Sequence, residues 1–163
     1  MKVLVIRVSK AKVKVESNPA SSIDNGIVVF AGFSKDDGDS ELTAMADKIS
    51  NLRIFENKDG KMWYSVRDKN YDILCIPNFT LCANVYKGRR PSFEDVMPPS
   101  EAKDMFDKFI VVMRSKGIIV QTGLFGEHMN IDLTMDGPVN IVLEYKYRSG
   151  YPRRYPRESA SKE

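Results

Sequence analysis

Between Gly123 and Asn140 the chain reads GLFGEHMNIDLTMDGPVN, and this stretch narrows what the chain can fold into. Met129, Ile131 and Leu133 fall two apart, with Asn130, Asp132 and Thr134 between them. Successive side chains of a strand point to opposite faces, so this is a strand with one buried face. Gly123 and Gly126 precede it, and Asp136-Gly137-Pro138 ends it. Glycines at both ends mark places where the backbone turns sharply or approaches something closely.

The rest of the chain reads as short strands with two helices among them. Residues 2–8 and 11–16 read as two strands joined tightly, and 27–30 as a short strand apolar on both faces. Residues 71–76 form another strand, with 79–83 continuing beside it. Leu42, Met45, Ala46 and Ile49 make one stripe at helical spacing, capped by Asp39 or Ser40. Ala102, Met105, Phe106, Phe109, Ile110 and Met113 make a second, capped by Ser100 and stopped by Gly117. Both stripes read as core rather than cofactor pocket. Residues 118–121, 129–134 and 139–147 complete the strands. Strands outnumber helices and mostly follow one another, which predicts an α+β fold: a mainly antiparallel sheet with two packed helices.

The 163 residues suit one domain with a sizeable core. No apolar run approaches membrane-spanning length, so no membrane partner is expected. The apolar start meets charge at Arg7 and lacks a small-residue cleavage pattern, so it reads as a strand rather than a signal peptide. Cys75 and Cys82 form no CxxC, and His128 is the one histidine, so neither a metal site nor a cofactor is implied. Two reduced thiols fit a cytoplasmic protein. The net charge of +3 is uneven: from Lys146 onward six basic residues face two acids, leaving the preceding body near −1. Attraction to nucleic acid is therefore concentrated at one end.

Several separate segments resemble the D-Tyr-tRNA(Tyr) deacylase family, the D-aminoacyl-tRNA deacylases. They are Gly123-Leu124-Phe125-Gly126-Glu127-His128-Met129, Met135-Asp136-Gly137-Pro138-Val139-Asn140, Asn51-Leu52-Arg53-Ile54-Phe55, Gly60-Lys61-Met62 and Lys87-Gly88-Arg89-Arg90-Pro91-Ser92-Phe93. The resemblance implies a strongly bent, barrel-like sheet and a homodimer. It also implies a cis Gly137-Pro138 bond projecting into the other subunit's site. It places a domain over 1–147 and says nothing of the basic tail over 148–163.

The family's Ser-Gln-Phe-Thr-Leu motif stands here as Pro77-Asn78-Phe79-Thr80-Leu81. Pro77 removes a hydroxyl and an N–H, while Asn78 keeps an amide on a shorter arm. A related animal branch that removes mischarged L-alanine carries Pro-Gln there, and Asn140 replaces the usual threonine of the D-aminoacyl branch. Thr80 is the best hydroxyl of the motif, either as a nucleophile or as a strand threonine bonded to backbone. A nucleophile needs an activating base, and none is evident. The favoured site is built from backbone N–H groups near Phe79 and Thr80, acting on an ester that is already activated.

The implied function is hydrolysis of the ester of D-aminoacyl-tRNA. Pro77, Phe125, Gly126 and Met129 line the pocket, and Gly137-Pro138 rejects L side chains. Lys87, Arg89 and Arg90 are the expected tRNA contacts. The tail interleaves Tyr147, Tyr151 and Tyr155 with arginines, which fits either tRNA contact or a solvated extension. Two other readings stand beside this one. Pro77 admits a deacylase for glycine or L-alanine on the wrong tRNA. Pro77 and Asn140 together admit a catalytically weakened paralogue that binds nucleic acid.

Overall fold

The computed structural model describes residues 1–16 and 18–145. Eight strands, two helices and one 3₁₀ turn follow one another. They are β1 (Lys2–Val15), β2 (Asn18–Ile23), β3 (Gly26–Gly32), α1 (Asp39–Ser50), β4 (Phe55–Glu56), β5 (Met62–Tyr64), β6 (Asp72–Pro77), the turn (Phe79–Cys82), α2 (Pro99–Arg114), β7 (Val120–Thr122) and β8 (Met129–Glu144).

The main sheet is mixed rather than mainly antiparallel. β1 pairs antiparallel with β2, β3 and β8. β3 with β6, and β6 with β7, pair parallel. The reason lies in the helices: α1 lies between β3 and β6 in the chain, and α2 between β6 and β7. A parallel pair needs such a crossover, whereas a short turn joins only antiparallel neighbours. β4 and β5 form a separate antiparallel ribbon.

Alternation along the central strands feeds two cores. Val3 and Val5, Ile27, Val29 and Ala31, and Ile73 and Cys75 join the helix stripes in one cluster. Their neighbours Ile6 and Val8, Val28, and Leu74 and Ile76 join Ala11, Val13 and Ile23 in a second cluster. The second core belongs to the bend of the sheet, where β2 returns over β6 and β7. Ser21 Oγ donates to the carbonyl oxygen of Thr122 at 2.6 Å across that closure. A strand apolar on both faces, such as β3, is required wherever two cores share one sheet.

Several boundaries differ from the pattern reading. Residues 2–8 and 11–16 form one strand, because β8 pairs with β1 from Lys2 to Val15 and carries it through exposed Ser9 and Lys10. Residues 129–134 and 139–144 likewise belong to one strand, β8, which ends at Glu144 short of the expected 147; residues 146 and 147 lie outside the described residues. The first helix is capped one residue early, at Gly38, whose N–H donates to Glu41 Oε2 at 3.0 Å. The second begins with Pro99 at its first turn rather than with a Ser100 cap, where a missing N–H costs nothing. Residues 79–83 do not extend the sheet; they coil into the 3₁₀ turn. No helix among the described residues is long and apolar enough to cross a membrane.

Candidate active site

Three parallel strands deliver their carboxyl ends to one place: β3 at Gly32, β6 at Pro77 and β7 at Thr122. That end of a parallel array is where ligands commonly bind. The chain leaves β6 at Asn78, whose N–H donates to the Ala31 carbonyl oxygen at 2.8 Å. Gly32 permits the approach, since a Cβ there would lie 2.7 Å from the Asn78 carbonyl oxygen.

The turn that follows is locked by one side chain. Asn78 Oδ1 accepts the Thr80 N–H at 3.2 Å and the Thr80 hydroxyl at 2.5 Å. A backbone N–H can only donate, so the atom facing it is the amide oxygen, and Nδ2 is left pointing elsewhere. Phe79 is exposed beyond this turn and meets Phe93 edge-on, ring centroids 5.2 Å apart.

A cavity of about 560 Å³ opens here, within the usual range for small-ligand sites. Pro77, Asn78, Phe79, Phe125, Gly126 and Met129 all line it, so residues far apart in the chain converge. Gly123 makes room for this arrangement: a Cβ there would lie 2.8 Å from Met129 Sδ and 3.5 Å from Pro77 Cδ. The sequence reading missed Phe93, Met97 and Glu127 in the lining. Glu127 is the one charged side chain among the described lining residues. Its place directly after Gly-Leu-Phe-Gly, within the 123–129 segment, is the available signal.

Thr80 is exposed and absent from the lining. Its hydroxyl donates to an amide oxygen, which is no base, so nothing in this arrangement activates it. Its N–H is also occupied, which removes one of the two expected backbone donors. Among the described residues no hydrogen bond takes up the Phe79 N–H. His128 is exposed and outside the lining. No described cluster of His, Cys, Asp or Glu could hold a metal ion. Burial pushes the Cys75 thiol far up, away from the reactive thiolate.

Gly137 and Pro138 lie elsewhere. Gly137 stands eight residues and Pro138 nine along β8 from Met129, roughly 25–30 Å of strand path, and neither lines the cavity. The Gly137-Pro138 bond is cis. Where β1 runs from Ile6 to Val8, β8 runs from Asn140 back to Met135, so residues 136–139 bulge opposite Arg7 alone. Arg7 is buried, and its Nη1 donates to the Ile54 carbonyl oxygen at 2.6 Å. Lys87, Arg89 and Arg90 sit on an exposed loop held by paired backbone bonds between Asn84 and Ser92, at 2.8 and 2.9 Å. The tail over 148–163 lies outside the described residues.

The family model described as D-Tyr-tRNA(Tyr) deacylase matches residues 4–144. A protein of Thermotoga petrophila named D-aminoacyl-tRNA deacylase is 44% identical over 144 residues, 88% of this chain and 97% of its own. One of the same name from Geobacter sulfurreducens is 42% identical over 149 residues, 91% of this chain and 98% of its own. A solved structure described as the c-Myc DNA Unwinding Element Binding Protein superposes with a TM-score of 0.84 at 41% identity, covering 90% of this chain and 99% of that one. A structure described as a probable eukaryotic D-amino acid tRNA deacylase shares the fold at 17% identity, with a TM-score of 0.78. Matched by the family model over residues 4–144 and covered almost end to end by such relatives, the chain belongs to the D-Tyr-tRNA(Tyr) deacylase family.

Proposed function

We propose that this protein hydrolyses the ester of D-aminoacyl-tRNA, releasing the D-amino acid and tRNA. The observation that carries this reading is the convergence of the family segments, Pro77 to Phe79 and Phe125 to Met129, on one cavity. The terminal adenosine and its aminoacyl ester occupy that cavity. Water attacks the ester carbonyl. The acyl–oxygen bond breaks, and the departing ribose oxygen takes the proton.

The chain contributes electrostatics rather than a nucleophile. As the carbonyl oxygen gains charge, the Phe79 N–H and Asn78 Nδ2 are the available donors. One such donor lowers the barrier by about 3 kcal/mol. Pro77 supplies no N–H and acts as an apolar wall. A free ribose hydroxyl beside the ester assists the water.

Gly137 and Pro138 do not line their own chain's cavity. We place them in the cavity of a second copy, in a homodimer of this cytoplasmic protein. Rigid backbone facing the α-carbon excludes an L side chain. Rejecting L over D by about 1000-fold needs roughly 4 kcal/mol, which one steric overlap supplies. Lys87, Arg89 and Arg90 contact phosphates. The domain ends by residue 147, and the basic tail over 148–163 adds charge for the same partner.

The second reading, removal of glycine or L-alanine, is favoured by one observation: Pro77 lines the cavity. A deacylation assay on D-aminoacyl-, L-alanyl- and glycyl-tRNA separates the readings. Turnover of the D-ester with L-alanyl-tRNA spared supports the first. Turnover of L-alanyl-tRNA supports the second. Binding of tRNA without turnover of any ester overturns both.

A further inference from the structure

Tyr86 is 93% exposed, the highest exposure among the large hydrophobic side chains that stand out from the described surface. It belongs to the loop that the Asn84–Ser92 backbone bonds close. Its N–H donates to Asn84 Oδ1 at 3.1 Å, which fixes where the side chain leaves the loop. Gly88 turns the loop at a φ of +71°, with nothing within 4 Å of where a Cβ would stand. Lys87 precedes this turn and Arg89 and Arg90 follow it directly, all exposed. The closing residue, Ser92, adjoins Phe93, which lines the cavity. The loop therefore rises from the rim of the site. A neighbouring hollow of about 460 Å³ is bordered by Tyr86, by Asp36, Asp37 and Asp95, and by Lys2 and Lys35. Its charges of both signs offset one another, and Asp37 pairs with the N-terminal ammonium, so the uninterrupted positive charge beside Tyr86 is that of Lys87, Arg89 and Arg90.

We infer that Tyr86 is a stacking platform for a base of the single-stranded 3′ end of tRNA. Lys87, Arg89 and Arg90 hold the phosphates on either side of that base. The partner follows from the proposed function, on which this inference rests: if the last nucleoside enters the cavity, the unpaired nucleotides before it must leave across the rim. An aromatic face amid cations suits unpaired nucleotides, because every base has a face to stack and every linkage a charge. Stacking needs the ring and not the phenol hydroxyl.

The test measures binding and does not use hydrolysis. Affinities are determined for uncharged tRNA and for the same tRNA trimmed of its single-stranded 3′ end, with wild type, Tyr86→Ala and Tyr86→Phe. Tyr86→Ala should weaken binding of intact tRNA about tenfold, within the range found for loss of one base–aromatic stack, and leave the trimmed tRNA unchanged. Tyr86→Phe should bind both as wild type does. Equal loss on both RNAs, no loss on either, or a change in oligomeric state in place of RNA affinity overturns the inference. If wild type hydrolyses no D-aminoacyl-tRNA while the binding pattern holds, the deacylase reading fails and the stacking role stands.

Discussion

Arg7 grips Asp136 twice: Nε donates to its main-chain oxygen at 3.0 Å and lies 3.1 Å from its carboxylate. A buried guanidinium on β1 thus holds the residue that opens the 136–139 bulge. Its other nitrogens reach the Ile54 carbonyl oxygen and, at 3.6 Å, Glu56 Oε1 on β4. The planar fork joins the bulge to the ribbon, which a single ammonium cannot do. Arg7→Ala should cost about 2 kcal/mol, the order expected for hydrogen bonds to a buried charge, seen as a fall of roughly 4–8 °C in the thermal midpoint. Arg7→Lys should recover only part of it. In both, the ratio of D- to L-aminoacyl-tRNA deacylation should drop, while an unchanged ratio would detach the bulge from discrimination.

The Asn78–Thr80 pair separates two mechanisms. Thr80→Ala should retain deacylation within about tenfold in single-turnover assays, since a true nucleophile would cost on the order of 10⁶. Asn78→Ala removes both the lock on the turn and the Nδ2 donor. It should lose 10²- to 10³-fold or so, as for one oxyanion donor. The reverse ranking would restore Thr80 as the reacting group.

Gly137 has a φ of +149°, and a Cβ there would stand 2.3 Å from the Val139 nitrogen. Alanine cannot hold that backbone without displacing the bulge. Gly137→Ala should therefore lose D-aminoacyl- and glycyl-tRNA deacylation together. Gly137 and Pro138 are exposed but Val139 is buried, so the protein should stay folded with a melting midpoint lower by roughly 2–4 °C, about 1 kcal/mol. Normal activity on both esters would show that the loop's position is unimportant.

Asp68 offers a pH test far from the chemistry. Its carboxylate accepts the Ser65 N–H at 2.8 Å and the Ser65 hydroxyl at 2.7 Å. These bonds, the backbone one foremost, hold it below the usual carboxylate value. A depressed carboxylate contributes stability above its unfolded pKa, near 3.9, and loses it as pH falls through the lower folded value. Asp68→Ala should melt below wild type at neutral pH. The gap should stay constant down to about pH 5 and close in more acid solution. A gap independent of pH would mean that the ionised carboxylate is not what Ser65 recognises.

Much of this was legible in the sequence, and the exceptions share a cause. Both helix stripes are buried as their spacing requires, and β3 is buried on both faces. Asn78, Phe125, Gly126 and Met129 meet at one cavity. Strand direction was not legible, because alternation is the same in parallel and antiparallel pairs. The 3₁₀ turn at Phe79 was read as strand, since the signal that coils it is a side-chain bond from Thr80 back to Asn78. Ser9 and Lys10 looked like a break in β1, yet a partner strand holds them extended. Arg7 carried no local sign of burial, because its partners stand 47 and 129 residues away in the chain.

The ladder between β1 and β8 joins Lys2 to Glu144 and Val15 to Met129. During synthesis β1 therefore emerges long before β8, and one of its edges is not covered until that strand arrives. Until then β1 presents an unpaired row of N–H and C=O groups, the kind of edge that recruits strands from other chains. Contacts so distant in sequence make folding slow. The interval of greatest exposure to misassembly thus lies after both helices have been made and before β8 emerges.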